Sequence, residues 1–271
     1  MKTALSQIST VGATFGEDVA AYAAAGFDGI GLWEFKLPED DAANLAVLDL
    51  HGLGVANCIP AVPTFLQLAI PGMEGPADPA ERLEAICVSI RRLSVYRPAS
   101  IVCPSGPLGD RSEADGRVIV QQGLRRAAAV ARECGVRIGL EPVHPVNRLS
   151  AGFVTSLADA AALLDEAGLS DVGITFDTWH QWDDPAAAAW IAANIARITG
   201  VHVADWAAPG DESRLVPGAG GTRSTELVRS LRAAGFDGYL DVEIFSTPDA
   251  FWGLPVAEAA RRAQMAVSGL A

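Results

Sequence analysis

Apolar residues along the chain fall into two kinds of stretch that alternate from end to end. Short uninterrupted apolar runs, such as "IGLW" at 30–33, "VGITFD" at 172–177 and "YLDVEIF" at 239–245, read as strands buried on both faces. Between them lie longer alanine- and leucine-rich stretches with helical character. "EDVAAYAAAG" at 17–26 is one, and it ends in Gly26, a residue suited to the position just past a helix C-terminus. The same grammar recurs in "LAVLDLHGLG" before "VANCIP", "LEAICVSIRRLSVY" before "SIVCPSG", "GLRRAAAVARECG" before "VRIGLEP", "DAAALLDEAG" before "VGITFD", "AAAAWIAANIARI" before "GVHVADW", and "TELVRSLRAAG" before "YLDVEIF". "TALSQ" adds a strand at the start and "LPVAEAARRAQMAV" a helix at the end, which makes eight of each. Strict alternation implies parallel strands with right-handed crossovers. Eight units in 271 residues predict a closed (β/α)8 TIM barrel, a single domain over 1–271. No Gly-x-Gly-x-x-Gly follows the first strand, which argues against an open doubly wound sheet.

Composition agrees with a large apolar core, with 50% hydrophobic and 20% charged residues. No apolar run approaches the roughly 20 residues of a membrane span. The opening "MKTALSQIST" lacks the apolar region of a signal peptide, so the expected compartment is cytoplasmic. The four cysteines, Cys58, Cys87, Cys103 and Cys134, stand far apart and read as reduced thiols. A formal net charge of −13 disfavours nucleic acid and anionic membrane as partners and tolerates a bound divalent cation.

The chemistry gathers at the predicted C-terminal strand ends, where barrels of this kind carry their sites. "AAGFDGIGLWE" at 24–34 and "AAGFDGYLDVE" at 233–243 fill the same slot in the repeating unit, and each ends in an acid, Glu34 and Glu243. Strand five ends in Glu141 and strand six in Asp177, with His180 three residues on; strand seven carries His202 and ends in Asp205. Glu141, Asp177, His202 and Glu243 come from four consecutive strands spaced about 4.8 Å apart, close enough to surround one ion. Three carboxylates and one imidazole form a hard donor set suited first to Mn²⁺ or Mg²⁺, with Co²⁺ or Zn²⁺ as alternatives. An octahedral ion so held keeps about two positions open for neighbouring substrate oxygens. Blander roles compete for each residue. A lone strand-end acid is usually a helix cap, and Asp205 fits that role or that of a partner to a ligand. Glu34 reads as a rim charge, His51 as structural within a helix, and Cys58 and Cys103 as small core residues; His144 is balanced between packing and function. Trp33, Trp179 and Trp206 sit at strand ends, where they either pack or wall a sugar-sized pocket.

"GLEPVHP", "ITFDTWH", "VHVAD", "RLVPGAGG" and "GFDGYLDVEI", in that order, resemble the motifs of the xylose isomerase-like sugar isomerase/epimerase superfamily across nearly the whole chain. The resemblance implies a (β/α)8 barrel with metal ligands at Glu141, Asp177, His202 and Glu243. It makes Glu141 and Glu243 the acid–base pair of a sugar epimerase, and His180 and Arg214 substrate contacts. Relatives pair up, so a homo-oligomer is an expectation by analogy. Two departures stand out: Gly31 occupies the acid position of "GFDGVEL", and Asn147 replaces a glutamate found six residues after the first ligand. The substrate end therefore departs from that of a ketohexose epimerase.

The implied reaction is proton transfer through a metal-stabilised enediolate of a keto-sugar or related polyol ketone, giving isomerisation or epimerisation. Three rivals share the site. One is a lyase or dehydratase of the inosose-dehydratase or C-glycoside-cleaving kind, for which the tryptophan-rich mouth would suit an aryl group. The others are an endonuclease IV-like phosphodiesterase, disfavoured by four histidines and the acidic charge, and a non-catalytic sugar-binding subunit. The "PGAGG" loop at 217–221 reads either as a phosphate cradle or as a plain flexible connection.

Overall fold

A computed structural model describes residues 1–208 and 213–270. In chain order its main elements are β1 (Lys2–Ser6), α1 (Phe15–Ala25), β2 (Gly29–Trp33), α2 (Asp41–His51), β3 (Gly54–Ile59), α3 (Pro79–Leu93), β4 (Ser100–Val102) and α4 (Glu113–Cys134). They continue with β5 (Ile138–Leu140), α5 (Leu157–Glu166), β6 (Gly173–Asp177), α6 (Thr178–Gln181), α7 (Ala187–Asn194) and β7 (Ile198–Val203). A short β8 (Asp205–Trp206) and β9 (Arg214–Leu215) precede α8 (Ser224–Ala233), β10 (Tyr239–Val242) and α9 (Val256–Ser268). Eight parallel strands close in the order β1-β10-β7-β6-β5-β4-β3-β2, the predicted (β/α)8 barrel. No helix among the described residues is long and apolar enough to cross a membrane.

The local sequence explains the helix limits. Thr14 and Glu17 form a reciprocal capping box at the start of α1, and Gly26, Gly52 and Gly135 close α1, α2 and α4 in the left-handed conformation that glycine adopts without strain. Helices pack one apolar face on the barrel, with Val120, Leu124, Ala127 and Ala131 of α4 buried. Inside the barrel, glycines make way for polar side chains. A Cβ at Gly139 would overlap Thr175 Oγ1, and one at Gly173 would overlap Thr199 Cγ2. Cys58 and Cys103 are fully buried, with thiols pushed up by that burial, Cys103 to about 12; they are core residues, as read from the sequence.

Two features differ from the sequence reading. The last barrel strand before the glycine loop stops at Val203, and Asp205 begins a separate antiparallel pair, β8 with β9. A helical turn, α6, follows β6 directly because Asp177 caps it, its Oδ1 accepting from Trp179 N at 2.8 Å. His51 is the exposed last residue of α2, its Nδ1 2.9 Å from Val47 O, in the helix as read from the sequence.

The long connection from β3 to α3 is fastened by a fully buried Arg82. Its guanidinium donates to Thr64 O (2.8 Å), Thr64 Oγ1 (2.5 Å), Glu74 O (2.6 Å) and Pro76 O (2.8 Å), and burial pulls its pKa down to about 10. Arg82→Met removes these bonds and leaves several carbonyls unpaired, which should lower stability by about 3 kcal/mol. Thermal denaturation followed by circular dichroism should show the loss, and limited proteolysis should cut first within 64–76. Unchanged melting and unchanged cleavage would mean that the loop holds itself.

Candidate functional site

Four adjacent strands bring the predicted acids and imidazole together. Glu141 follows the last residue of β5, Asp177 ends β6, His202 lies in β7 in register with Asp177, and Glu243 follows β10, its N–H on Val203 O at 3.2 Å. All four are buried. His202 Nδ1 is 2.9 Å from Glu141 Oε1 and 3.6 Å from Glu243 Oε2. Ligand atoms of Glu141, Asp177 and His202 lie within 4.8 Å of one another, a spacing that fits one divalent cation. Arg214, in β9, lays Nη1 between the remaining acids, 3.0 Å from Asp177 Oδ2 and 2.9 Å from Glu243 Oε2. Its guanidinium stacks between the Trp179 ring (4.5 Å) and the Phe245 ring (4.8 Å).

Charge decides the protonation of this cluster. Burial disfavours the charged form of His202, but the carboxylates of Glu243 and Glu141 outweigh it and push the pKa up to about 10. Burial raises Glu141 despite the neighbouring His202. Burial would raise Asp177 too, yet Arg214, His180 and His202 together hold it below its ordinary value. His180 is driven by burial to about 3 and is neutral; its Nδ1 accepts from His144 N at 2.9 Å, which leaves the hydrogen on Nε2, 3.8 Å from Asp177 Oδ2. A cationic imidazole and a guanidinium thus stand among three carboxylates. That positive charge answers the same demand a divalent ion would, so the donor set fits such an ion.

One further acid escaped the sequence reading. Asp241 lies two residues before Glu243 on the same face of β10, fully buried inside the barrel and pushed up to about 7 by that burial. Its Oδ2 accepts from Asn57 Nδ2 at 3.1 Å and faces His202 Nε2 at 3.8 Å. A Cβ at Gly31 would overlap this carboxylate. Gly31, noted as a missing acid, is therefore the space that Asp241 fills from across the barrel. A charge in the middle of "YLDVE" was the available signal.

The remaining residues divide. Trp33, Trp179, Trp206, His180 and Arg214 line a cavity of about 600 Å³ with Glu141 and Glu243 at its floor. Asn147 lines it too. His144 is not among the lining residues described. Its ring stacks parallel to Trp182 at 6.3 Å, lies 5.0 Å from Trp206, and has Nε2 3.2 Å from Asp183, so it supports the wall from behind. Glu34 is not a rim charge: it is buried and accepts from Ala61 N at 2.9 Å, tying down the chain after β3. Asp205 caps no helix. Its carboxylate accepts from the N–H groups of Gly218 (3.1 Å), Gly220 (3.1 Å) and Thr222 (3.3 Å). Those amides are consumed, so the glycine loop is neither a free phosphate cradle nor a loose connection. A smaller cavity of about 370 Å³, lined by Asn57, Arg137, Thr199 and Tyr239 at the opposite barrel end, gathers no acid cluster.

Residues 19–266 match the family described as xylose isomerase-like TIM barrel. A D-psicose 3-epimerase from Enterocloster bolteae is 28% identical over 151 residues, 55% of this chain and 45% of that protein. A 3-dehydro-D-guloside 4-epimerase from Escherichia coli K12 is 30% identical over 139 residues, 51% of this chain and 50% of that protein. The matched region thus spans about half the length of these curated relatives. Among solved structures, the IOLI protein with a bound zinc atom superposes with a TM-score of 0.80 at 19% identity, covering 100% of this chain and 98% of its own.

The fit of Gly31 to Asp241 is open to a double-mutant cycle. Gly31→Ala should destabilise the protein by about 1–3 kcal/mol, since the added methyl meets a buried carboxylate held by Asn57. Pairing it with Asp241→Ala should recover at least about 0.5 kcal/mol of that loss relative to additivity, read from denaturant midpoints. Strict additivity would refute the contact.

Proposed function

The chain belongs to the xylose isomerase-like TIM barrel family, and from that premise we propose that it is a divalent-metal-dependent sugar isomerase or epimerase. Glu141, Asp177, His202 and Glu243 would hold the ion, and their hard donor set favours Mn²⁺. The observation that carries the reading is the placement of two carboxylates, Glu141 and Glu243, that line one cavity and both approach the imidazole of His202, at 2.9 and 3.6 Å. The epimerase names of the two curated relatives support the same reaction class, and a small carbohydrate is the substrate class they suggest. A divalent ion bound by these residues would supply Lewis acidity toward a substrate carbonyl.

The chain's own groups do the rest. Glu141 and Glu243 form the proton-moving pair, one removing the α-proton and the other returning one to the opposite face or to the adjacent carbon. Asp177, held ionised by Arg214 and its own capping bond, is a ligand that does not titrate near neutrality. His180 presents its Nε2–H as a fixed donor for a substrate oxygen, its other nitrogen being committed to His144 N. Arg214 orients Glu243 and substrate oxygens together. Trp33, Trp179 and Trp206 close the walls against water. The four free cysteines support a reducing, cytoplasmic setting. A dehydratase or lyase is the second reading, favoured by the apolar part of the cavity wall; elimination would follow the same proton abstraction.

Glu141→Gln and Glu243→Gln should each reduce exchange of substrate α-protons with D₂O by about 10²–10⁴-fold across a ketose and inosose panel, with the circular dichroism spectrum unchanged. Near-wild-type exchange in Glu243→Gln would remove that residue from the pair. Chelation with EDTA should abolish exchange and added Mn²⁺ restore it.

The raised pKa of His202 sets a pH dependence. Without metal the imidazole stays protonated up to about 10, so metal uptake at neutral pH must expel that proton. Apparent Mn²⁺ affinity should therefore climb about tenfold per pH unit between about pH 6 and 8, with roughly one proton released per ion in calorimetry across buffers. A flat profile would show His202 already neutral.

A further inference from the structure

Ser9 does not line the cavity, yet it touches the chain on both sides of one of the cavity's acids. It lies in the 3-10 turn Gln7–Thr10 that follows β1, and it is fully buried. Its hydroxyl donates to Val242 O at 3.1 Å and accepts from Ile244 N at 2.9 Å. Those two peptide groups flank Glu243. In a parallel ladder they are the groups that bond the residue opposite Glu243 on the neighbouring strand, one to its N–H and the other to its C=O. β1 pairs with β10 only as far as Leu5 against Val242, and it ends at Ser6. One side-chain oxygen therefore replaces a missing peptide, and the pairing of β10 continues past the end of its partner strand. On the other flank, Glu243 N donates to Val203 O at 3.2 Å, and Arg214 Nη1 reaches both Glu243 O (3.3 Å) and Glu243 Oε2 (2.9 Å).

The turn that carries Ser9 is itself pinned by a buried ion pair. Lys36, in the short 3-10 turn Glu34–Lys36 after β2, donates from Nζ to Gln7 O at 3.2 Å and to Thr10 O at 2.7 Å, the first and last carbonyls of the Ser9 turn. The same ammonium pairs with the fully buried Asp18 of α1 at 2.7 Å. Asp18 accepts in turn from Gln7 Nε2 at 2.9 Å and from Thr10 Oγ1 at 2.7 Å. Withdrawing two charges from water costs free energy that their attraction barely offsets, so such a pair is weak evidence for stability. What it does provide is placement: every bond it makes fixes one end of the turn or the other. A glutamate side chain follows its own α-carbon, and that α-carbon follows the peptide planes on either side. We propose that Ser9, held by the Lys36–Asp18 pair, is a positioning residue for Glu243: it fixes both peptides that flank Glu243 and so aims the carboxylate into the acid cluster. This rests on the reading above, in which Glu243 would hold the ion and move a proton.

The test compares Ser9→Ala, Ser9→Cys and Ser9→Thr in the full chain. Mn²⁺ alone is the binding probe in calorimetry, and α-proton exchange in D₂O is followed over the ketose and inosose panel. Ser9→Ala leaves Val242 O and Ile244 N–H without their partner. It should weaken Mn²⁺ binding by about tenfold or more and lower kcat for exchange by about 10–100-fold, with KM changed less. Ser9→Thr keeps the hydroxyl and should recover most of both. Ser9→Cys, a weaker donor and acceptor, should fall between them, and it stands in for Ser9→Ala if that variant does not fold. A Glu243→Ala background separates aiming from support. There, Ser9→Ala should cost no further Mn²⁺ affinity, whereas a merely structural role costs the same in both backgrounds. Equal losses in the two backgrounds, or unchanged Mn²⁺ affinity in Ser9→Ala, overturn the inference; exchange by the wild-type protein then leaves the isomerase reading standing. A Ser9 effect on Mn²⁺ affinity that vanishes with Glu243→Ala, in a protein that exchanges no sugar proton, sinks the isomerase reading and leaves the positioning role. A wild-type protein that takes up no Mn²⁺ overturns both.

Discussion

Acids crowded around one imidazole, all withdrawn from water, need positive charge among them to remain ionised. That electrostatic demand governs the barrel mouth. Glu141, Asp177 and Glu243 are buried together, and repulsion among them would push protons on unless compensated. Two groups of the chain itself supply compensation: His202, driven to its cationic form by the acids, and Arg214, bridging Asp177 and Glu243. A divalent cation would add positive charge of the same sign to that balance. The charge balance that keeps these acids ionised is thus one a divalent cation fits.

The demand propagates below the mouth. His202 turns one nitrogen to Glu141 and the other toward Asp241, and Asp241 can exist there only because Gly31 offers no side chain and Asn57 offers an amide. Each neighbour is thus selected by a charge it does not carry. On the other side, β8 and β9 exist because Asp205 gathers the amides of the glycine loop, which carries Arg214 back across the site, where its N–H donates to Phe245 O at 2.8 Å. The cationic arm is held by backbone pairing as well as by the acids it neutralises.

The alternation of apolar runs and helices made the barrel legible, because parallel strands buried on both faces carry a strong compositional signature. Glu141, Asp177, His202 and Glu243 were legible for a topological reason: residues at equivalent strand ends must converge once the sheet closes. Glu34 obeyed the same rule and yet serves the backbone of the next loop, since a strand-end acid can turn sideways to an amide as readily as inward. Asp241 was hidden because its meaning is a pairing with Gly31 across the barrel, and neither residue signals it alone. His144 looked like a site residue from its motif, but which way a ring turns beyond a strand end depends on packing partners, here Trp182 and Trp206, that lie far along the chain.

The cavity is divided between the acid cluster on one side and a carbon surface of Trp33, Ile59, Val102, Met73, Phe245 and Trp252 on the other. The charged half is overdetermined: Asp177 and Glu243 share Arg214, and Glu141 and Glu243 share His202, so replacing one group disturbs the protonation of the others. The apolar half is bound by no such network. Its members meet through dispersion and ring contacts, which tolerate exchange of one apolar side chain for another at modest cost. Met73, on a loop fixed from below by Arg82, is the least constrained of them, being an unbranched side chain that adapts to what it faces. Substitution is thus costly on the charged side of the cavity and cheap on the carbon surface opposite it, so the surface can be reshaped while the acid cluster stays intact.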